Sequence, residues 1–471
     1  MSILRNAKTR FVSYSLGLVV QIIFIFILTS KLDIYQFAVW GISMSFIYIF
    51  STIQQLAYYQ NIEKYFPNLN SSLQKKYLIK YIKTISTTSF LVFMIMMGIN
   101  KFNYFDKYNI ENIVYLLLMI TIFSTIEAAL VILDGYYNSK KNSYIYDIRD
   151  LLIYKIPRLL TVLILLNYNF SIFYLLFVSM ILRIIFLLFL LKIEWNNLYE
   201  FILLFRGERI FQDNFSNFKY NFFAFSNSTI YLTFLNLLFL VASTKYSNLD
   251  IAHYSLLVLI INNLRPVFNS LPTVITPMIS KLIKERKKTS QIIESTIFIN
   301  QLCISFLIII AILEIENKFI LDNLLADYFS GIYILITLAI FSSSLSSNYT
   351  TQYIFLLFNK KEKNIFLFNI SISIFLTLLY FYLAKIFLDN FIYIYILYEF
   401  LFYCFINYNY FIFEKKNIIF RSLSYSYFLS LLTSVAYLFN FFSYWLIGFY
   451  FIVCIAEINR SRSYYDSIKK L

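Results

Sequence analysis

The sequence is short of the residues that build metal sites, disulfides and charged surfaces. Its 471 residues include one histidine, three cysteines and only 14% charged residues. Each cysteine (Cys303, Cys404 and Cys454) lies singly inside an apolar run, which argues against a disulfide framework or a zinc site. The Gly-x-x-x-x-Gly-Lys-Ser/Thr pattern of ATP-binding loops does not occur in the sequence. We therefore predict a protein that is not an enzyme and that holds no metal or organic cofactor.

Apolar residues are what the chain has in abundance. They make up 60% of it, and the mean hydropathy is +0.69, whereas soluble domains hold about 45–50% apolar residues. A membrane helix needs about 20 predominantly apolar residues. Apolar runs between charged breaks predict fourteen such helices, near residues 11–31, 35–57, 81–99, 112–133, 146–167, 171–192, 218–242, 251–275, 291–313, 330–357, 365–386, 390–413, 419–438 and 441–456. The predicted fold class is an all-α polytopic membrane protein.

The net charge of +15 falls mainly in loops on one side of the predicted membrane. Basic clusters at residues 5–10, 64–80, 281–288 and 460–470 lie on that side. The opposite side holds only a few scattered lysines, which are Lys31, Lys101, Lys107, Lys245, Lys318 and Lys385. Because cytoplasmic loops carry the excess of Lys and Arg, both termini are predicted to be cytoplasmic. The same asymmetry accounts for the charge without a nucleic-acid partner.

Two short internal sequence repeats, or echoes, indicate an internal duplication. Residues 32–37 align with 249–254 at an offset of 217, and residues 137–141 align with 358–362 at an offset of 221. Each offset covers six predicted spans, so the two copies enter the membrane in the same direction and their symmetry axis runs along the membrane normal. We predict two pseudo-symmetric six-helix bundles around a central cavity. The predicted parts are an N-terminal bundle (1–192), a cytoplasmic linker (193–217), a C-terminal bundle (218–413), and two extra membrane helices with a cytoplasmic tail (414–471).

Three stretches carry a family resemblance. They are LDIYQFAVWGISMSFIYIF running into NIEKYFPNLN at 61–70, ILDGYYNSKKN at 132–142, and LDIAHYSLLVLIINNLRPVFNSLPTVITPMISKL at 249–282. In these the chain resembles the multidrug/oligosaccharidyl-lipid/polysaccharide (MOP) exporter superfamily, and within it the Wzx-type polysaccharide (O-antigen) flippases. Glycine, with 7 residues, is scarcer than that resemblance leads one to expect.

The resemblance implies a flippase in the bacterial inner membrane. Its substrate would be an undecaprenyl-pyrophosphate-linked oligosaccharide repeat unit for O-antigen or capsule. Its partners would be membrane lipids, a polysaccharide polymerase and the chain-length machinery, and H⁺ or Na⁺ would serve as the coupling ion. Two alternatives share the fold: a cation-coupled multidrug exporter and a lipid II flippase. A polysaccharide polymerase is disfavoured, because such enzymes need a large outer loop and the longest one predicted here covers only residues 314–329.

Six charged residues fall deep inside predicted spans, about 14 to 22 Å from a span end at 1.5 Å per residue. The cations are Lys155, Arg158, Arg183 and Arg265, and the carboxylates are Glu127 and Glu399. Charges at such depth usually face a protein interior or a wet cavity. One interpretation is a cationic cavity that binds pyrophosphate, since guanidinium groups match phosphate oxygens in pairs. The other is that each cation pairs with a neighbour, such as Arg183 or Lys155 with Glu127, and holds the helices together.

The two carboxylates and two prolines have further candidate roles. Glu127 and Glu399 are candidate sites for a coupling H⁺ or Na⁺. Paired-acid hydrolysis is a poor explanation for them, because they lie in different predicted bundles. Pro157 adjoins Arg158, and Pro266 follows Arg265. Because proline removes a backbone hydrogen bond and kinks helices, these two positions are candidate hinges, with an ordinary structural role as the alternative.

Overall fold

A computed structural model describes most of the chain. The described residues are 3–55, 58–101, 113–139, 155–165, 171–194, 218–269, 272, 275–276, 279, 283, 290–317, 333–359, 361–383, 391–414, 424–438 and 444–469. Within these ranges the regular secondary structure is helical, with sixteen α-helices and a 3₁₀ turn at Phe66–Asn68. The predicted linker at 193–217 lies outside the described residues, apart from its first two positions.

The helices follow the predicted spans. In chain order they are α1 (Ile3–Lys31), α2 (Ile34–Gln54), α3 (Tyr58–Tyr65), α4 (Ser71–Lys101), α5 (Ile113–Ser139), α6 (Ile156–Leu165), α7 (Ile172–Glu194), α8 (Phe218–Ser243), α9 (Asn248–Phe268), α10 (Ser290–Asn317), α11 (Tyr333–Asn348), α12 (Thr350–Phe358), α13 (Glu362–Leu383), α14 (Phe391–Glu414), α15 (Tyr425–Leu438) and α16 (Tyr444–Lys469). When the short α3 is set aside and α11 with α12 is taken as one broken span, fourteen helices correspond to the fourteen predicted spans. The predicted all-α polytopic fold is confirmed.

Several helices satisfy the length and composition needed to cross a bilayer. Among the described residues, seven helices are long and apolar enough: α2, α4, α5, α7, α8, α10 and α13. Shorter apolar stretches lie in α1, α6, α15 and α16. Large side chains such as Phe90 (71% exposed) and Trp445 (87% exposed) lie on the outer surface of these helices. Exposed apolar residues of this size suit a lipid environment.

The two Leu-Asp-Ile echoes each begin a membrane helix. Asp33 is the N-cap of α2, and its carboxylate accepts the Gln36 backbone N–H at 2.7 Å. At α9, the Asp250 carboxylate accepts the Ser247 backbone N–H at 3.2 Å, and the Ser247 hydroxyl accepts the Asp250 N–H at 3.2 Å. Each aspartate satisfies donors that the first turn of a helix leaves unpaired. The aligned aspartates therefore both lie at helix starts but at different positions: Asp33 is the N-cap before α2, whereas Asp250 lies in the first turn of α9.

The tenth span is broken, although its hydropathy predicts one continuous run over 330–357. Helix α11 ends at Asn348 and α12 begins at Thr350, with Tyr349 between them at φ −99° and ψ −2°. Four buried serines precede the break, and their hydroxyls donate to backbone carbonyls three or four residues earlier: Ser343, Ser344, Ser346 and Ser347. Such bonds compete with the helix ladder and bend helices. Breaks of this kind inside transporter helices are often part of functional sites.

Contacts group the described helices into two compact units. The first unit comprises Val19–Ser255 and Glu362–Ser371; the second comprises Met1–Leu18, Leu256–Lys361 and Ile372–Leu471. In the first unit, α2 packs against α5 and α8, and α6 packs against α7. In the second, α10 packs against α11, α15 and α16, and α14 packs against α11. The predicted division into bundles at 193–217 stays a prediction.

Candidate functional site

In the first unit, Arg183 of α7 forms an ion pair with Glu127 of α5. Arg183 has no exposed surface and Glu127 is 8% exposed. The guanidinium carbon also lies 4.8 Å from the ring centroid of Phe123, one helical turn before Glu127. A charge buried this deeply persists only when a partner compensates its lost hydration. Of the two partners considered for Glu127, the structure places Arg183 in contact with it.

The second unit holds a comparable pair. Arg265 of α9 contacts the carboxylate of Glu399 on α14, which is fully buried. The same carboxylate accepts hydrogen bonds from the Tyr349 hydroxyl, at 2.6 Å, and from the Tyr395 hydroxyl. The Arg265 guanidinium lies 5.4 Å from the ring centroid of Tyr395. Three donors on one carboxylate stabilise its ionised form, which has only acceptors to offer.

The two pairs share a local design. In each, an aromatic residue precedes the glutamate by four positions, and an arginine from another helix contacts both side chains. The sets are Phe123, Glu127 and Arg183 in the first unit, and Tyr395, Glu399 and Arg265 in the second. Residues four apart share a helix face, so the aromatic ring and the carboxylate together form the surface on which the guanidinium rests. The two glutamates do not align under the offsets of the sequence echoes.

Arg158 of α6 lies on the wall of a small cavity in the first unit. The cavity has a volume of about 10 Å³, which is room for about one water molecule. It is lined by Phe24, Trp40, Met44, Phe123, Arg158, Thr161, Leu175, Leu176 and Ser179. Arg158 Nη1 donates a long hydrogen bond, 3.4 Å, to Oε1 of the buried Gln21 on α1. One cation, two hydroxyls and several aromatic rings therefore converge on this cavity.

The remaining predicted site residues lie near these clusters. Lys155 is buried at 6% exposure and immediately precedes α6. Pro157 is buried in the first turn of α6, where proline needs no backbone donor, and its carbonyl accepts the Thr161 hydroxyl at 2.7 Å. Helix α9 continues through Pro266 and ends at Phe268. The hinge role of both prolines stays a prediction.

Several side chains of these clusters were not predicted from the sequence. The positions of Phe123 and Tyr395 in the site were predictable from sequence spacing, because each lies one turn before a buried glutamate. Gln21 was less easily predictable, because its only distinguishing feature is that it is a polar residue inside a predicted span. Tyr349 follows a run of serines, but nothing local connects it with Glu399. Among the described residues, no group of three or more His, Cys, Asp or Glu is arranged to hold a metal ion.

Comparisons with known proteins support the fold alone. No protein-family model matches the chain, and no curated protein matches it in sequence. Several solved structures do match in fold. An outward-facing multidrug resistance MATE family transporter of the MOP superfamily is 10% identical with a TM-score of 0.57, covering 89% of this chain and 97% of its own.

Two further structures extend this similarity. The eukaryotic MATE transporter AtDTX14 is 12% identical with a TM-score of 0.53, covering 89% of this chain and 98% of its own. A MOP superfamily transporter from Pyrococcus furiosus is 11% identical with a TM-score of 0.57, covering 87% of this chain and 96% of its own. That transporter is described as having a binding pocket of reverse polarity that suggests a different function. The chain therefore has the fold of MOP superfamily transporters.

Proposed function

We propose that this protein is a flippase for an anionic lipid-linked glycan. Its substrate is an undecaprenyl-pyrophosphate-linked oligosaccharide repeat unit, carried from the cytoplasmic to the outer leaflet of a bacterial inner membrane. The repeat unit then passes to a polymerase and chain-length machinery for O-antigen or capsule. The observation that carries the proposal is the position of Arg158 on a cavity wall beside hydroxyl and aromatic side chains.

The charges within the predicted spans support an anionic substrate. Glu127 and Glu399 each contact an arginine, so the two pairs are close to neutral overall. Lys155 and Arg158 add two further positive charges, three positions apart at the start of α6. A guanidinium group binds phosphate oxygens bidentately, and an ammonium group adds a point charge. Pyrophosphate is the part of the proposed substrate that such a pair recognises.

The cavity lining suits the rest of the substrate. The hydroxyl of Ser179 is able to hydrogen-bond phosphate or sugar oxygens, and the ring of Trp40 offers a flat face for a sugar. A pyrophosphate is far larger than a cavity of about 10 Å³. Binding therefore requires the lining helices to separate, as alternating access demands. No bond is made or broken in the substrate.

The two ion pairs provide a route for coupling to an ion. A proton taken up by the Glu127 carboxylate neutralises it and weakens its attraction for Arg183, whose charge then becomes available to phosphate. The same exchange applies to Glu399 and Arg265. By linkage, protonation of the carboxylate and phosphate binding at the arginine would then favour each other. Na⁺ is the alternative coupling ion, because it too neutralises a carboxylate.

The multidrug exporter is the second candidate, because MATE transporters share the fold. A cationic drug needs a carboxylate to receive it, and the two deeply buried glutamates in the predicted spans each contact an arginine. This arrangement favours the anionic substrate. The two candidate functions differ in the charge of the transported substrate, so both can be tested with one preparation of purified protein.

The test is a flipping assay with purified protein in liposomes. A fluorescent polyprenyl-pyrophosphate oligosaccharide is scored by dithionite, which quenches only the outer leaflet, and ethidium transport is measured in parallel. We expect glycolipid flipping that Arg158→Ala abolishes and Arg158→Lys partly retains. The control is Lys31→Ala, at an exposed lysine that ends α1, which should leave flipping unchanged. Ethidium transport without glycolipid flipping would overturn the proposal in favour of the multidrug exporter.

A further inference from the structure

The start of α15 in the second unit is held by side chains from two other helices. The Glu457 carboxylate on α16 accepts the Ser424 hydroxyl and the Tyr425 backbone N–H, both at 2.7 Å. Gln301 on α10 accepts the Ser424 backbone N–H through its Oε1 at 2.8 Å. Helix starts leave backbone N–H groups unpaired. These acceptors satisfy two of them and fix α15 to α10 and α16.

Gln301 also reaches the broken tenth span. Its Nε2 donates to Oδ1 of Asn348 at 2.8 Å. Both ends of the amide are therefore engaged, one by the start of α15 and one by the last residue of α11. Gln301 and Asn348 are each 3% exposed, Ser424 is fully buried and Glu457 is 4% exposed. Polar groups buried this deeply are costly to leave unpaired, so these hydrogen bonds constrain the helices that they join.

Asn348 is followed directly by Tyr349, the residue whose hydroxyl donates to Glu399 at 2.6 Å. Gln352 lies in the first turn of α12, beside the break. With its amide nitrogen turned toward the break, Gln352 donates to the carbonyls of Asn348 and Tyr349 at 3.1 and 3.2 Å. Two buried polar networks therefore meet at consecutive residues: one ends on Asn348, and the other begins at Tyr349.

We propose that the last two helices position the Glu399–Arg265 pair through this junction. The hydrogen bond from Gln301 fixes the position of Asn348, the last residue before the break. Because Tyr349 follows directly, the same bond orients the Tyr349 hydroxyl toward Glu399. Gln301, Ser424 and Glu457 are thus positioning residues for a carboxylate that none of them contacts in the bonds described above. The use of that pair in transport rests on the proposed function, whereas the mechanical link from Gln301 to Tyr349 does not.

The test is a double-mutant cycle on the full-length purified protein, read by its melting temperature in detergent. Gln301→Leu removes both amide bonds, and Tyr349→Phe removes only the hydroxyl. Coupled residues depart from additivity, whereas independent residues add. We expect the double variant to lose less than the sum of the single losses, by about 2 °C or more. Additive losses would overturn the proposal.

A matched control lies one turn further along α10. Ser305 hydrogen-bonds Tyr450 of α16 at 3.0 Å, so Ser305→Ala breaks a link from α10 to one of the last two helices but leaves the junction intact. We expect it to be additive with Tyr349→Phe. If Gln301→Leu does not fold, Glu457→Gln replaces it in the cycle, because it keeps the size and loses one acceptor. If the wild-type protein flips no glycolipid, the proposed function is refuted. The double-mutant cycle still tests the link from Gln301 to Tyr349, because it does not depend on transport.

Discussion

Gly41 of α2 lies directly against Ser255 of α9. A Cβ atom at position 41 would overlap the hydroxyl oxygen and the Cβ of Ser255. Ser255 has little freedom to move away, because it is buried and its hydroxyl donates to the Ile251 carbonyl at 2.6 Å. Small residues allow membrane helices to approach this closely. The two helices are those that begin with the Leu-Asp-Ile echoes.

This contact predicts that Gly41→Ala destabilises the protein by about 1–3 kcal/mol, the usual cost of overpacking. Ser255→Gly in the same chain should recover part of the loss, because it removes the two closest atoms. The measurement is the melting temperature of the purified variants. Gly98→Ala is the control, since nothing lies within 4 Å of the added methyl group. Equal melting temperatures for the alanine variants at 41 and 98 would contradict the contact.

Variants of the Arg183–Glu127 pair test whether these buried charges bind substrate or only hold the helices together. Arg183→Met alone leaves Glu127 without its arginine and should cost about 3–5 kcal/mol. Arg183→Met combined with Glu127→Leu should restore much of the stability, since apolar pairs often replace buried ion pairs without loss. Glycolipid flipping should stay lost in the double variant. A stable double variant that still flips at the wild-type rate would show that the pair only holds helices together.

Substitution by lysine gives a second test at the same position. Lysine keeps the charge of Arg183 and loses the paired hydrogen bonds to phosphate. We expect Arg183→Ala to abolish flipping and Arg183→Lys to retain part of it, both at normal expression levels. Normal transport by both variants would remove Arg183 from the substrate pathway.

The carboxylates of Asp33 and Asp250 should each stabilise the start of a helix. Asp33→Ala removes the acceptor for the Gln36 N–H, and the loss of such a cap costs about 1 kcal/mol. Asp250→Ala should cost a similar amount, because its carboxylate accepts from Ser247. Asp33→Asn retains a capping oxygen and serves as the control in the same melting experiment. An Asp33→Ala variant as stable as Asp33→Asn would show that the cap is unimportant.

The spans were predictable from the sequence because each depends on a local property. A run of about 20 apolar residues is visible without knowledge of any partner, and fourteen such runs correspond to helices of the structure. The break at Tyr349 was not predicted, because hydropathy averages over the serines that precede it. The linker at 193–217 lies outside the described residues, and its role stays a prediction.

The site was predictable only in its charged residues. The energetic cost of burying a charged side chain in a membrane identifies Arg183 and Glu127 individually. Only the fold shows that α7 lies beside α5. Tyr395 was accessible from its spacing to Glu399, whereas Tyr349 is 50 positions away in sequence. The cavity role of Lys155, Arg158, Arg183 and Arg265 remains the proposal, and its tests are the variants above.

The flippase proposal is tested most directly in the host cell. The gene is deleted, and lipid-linked intermediates are assigned to the inner or outer leaflet while surface glycan is measured. We expect loss of surface glycan, with complete single repeat units trapped on the cytoplasmic leaflet. Single units displayed on the outer leaflet without long chains would point to a polymerase instead. Intact surface glycan together with new sensitivity to cationic drugs would rule out the flippase and favour the multidrug exporter.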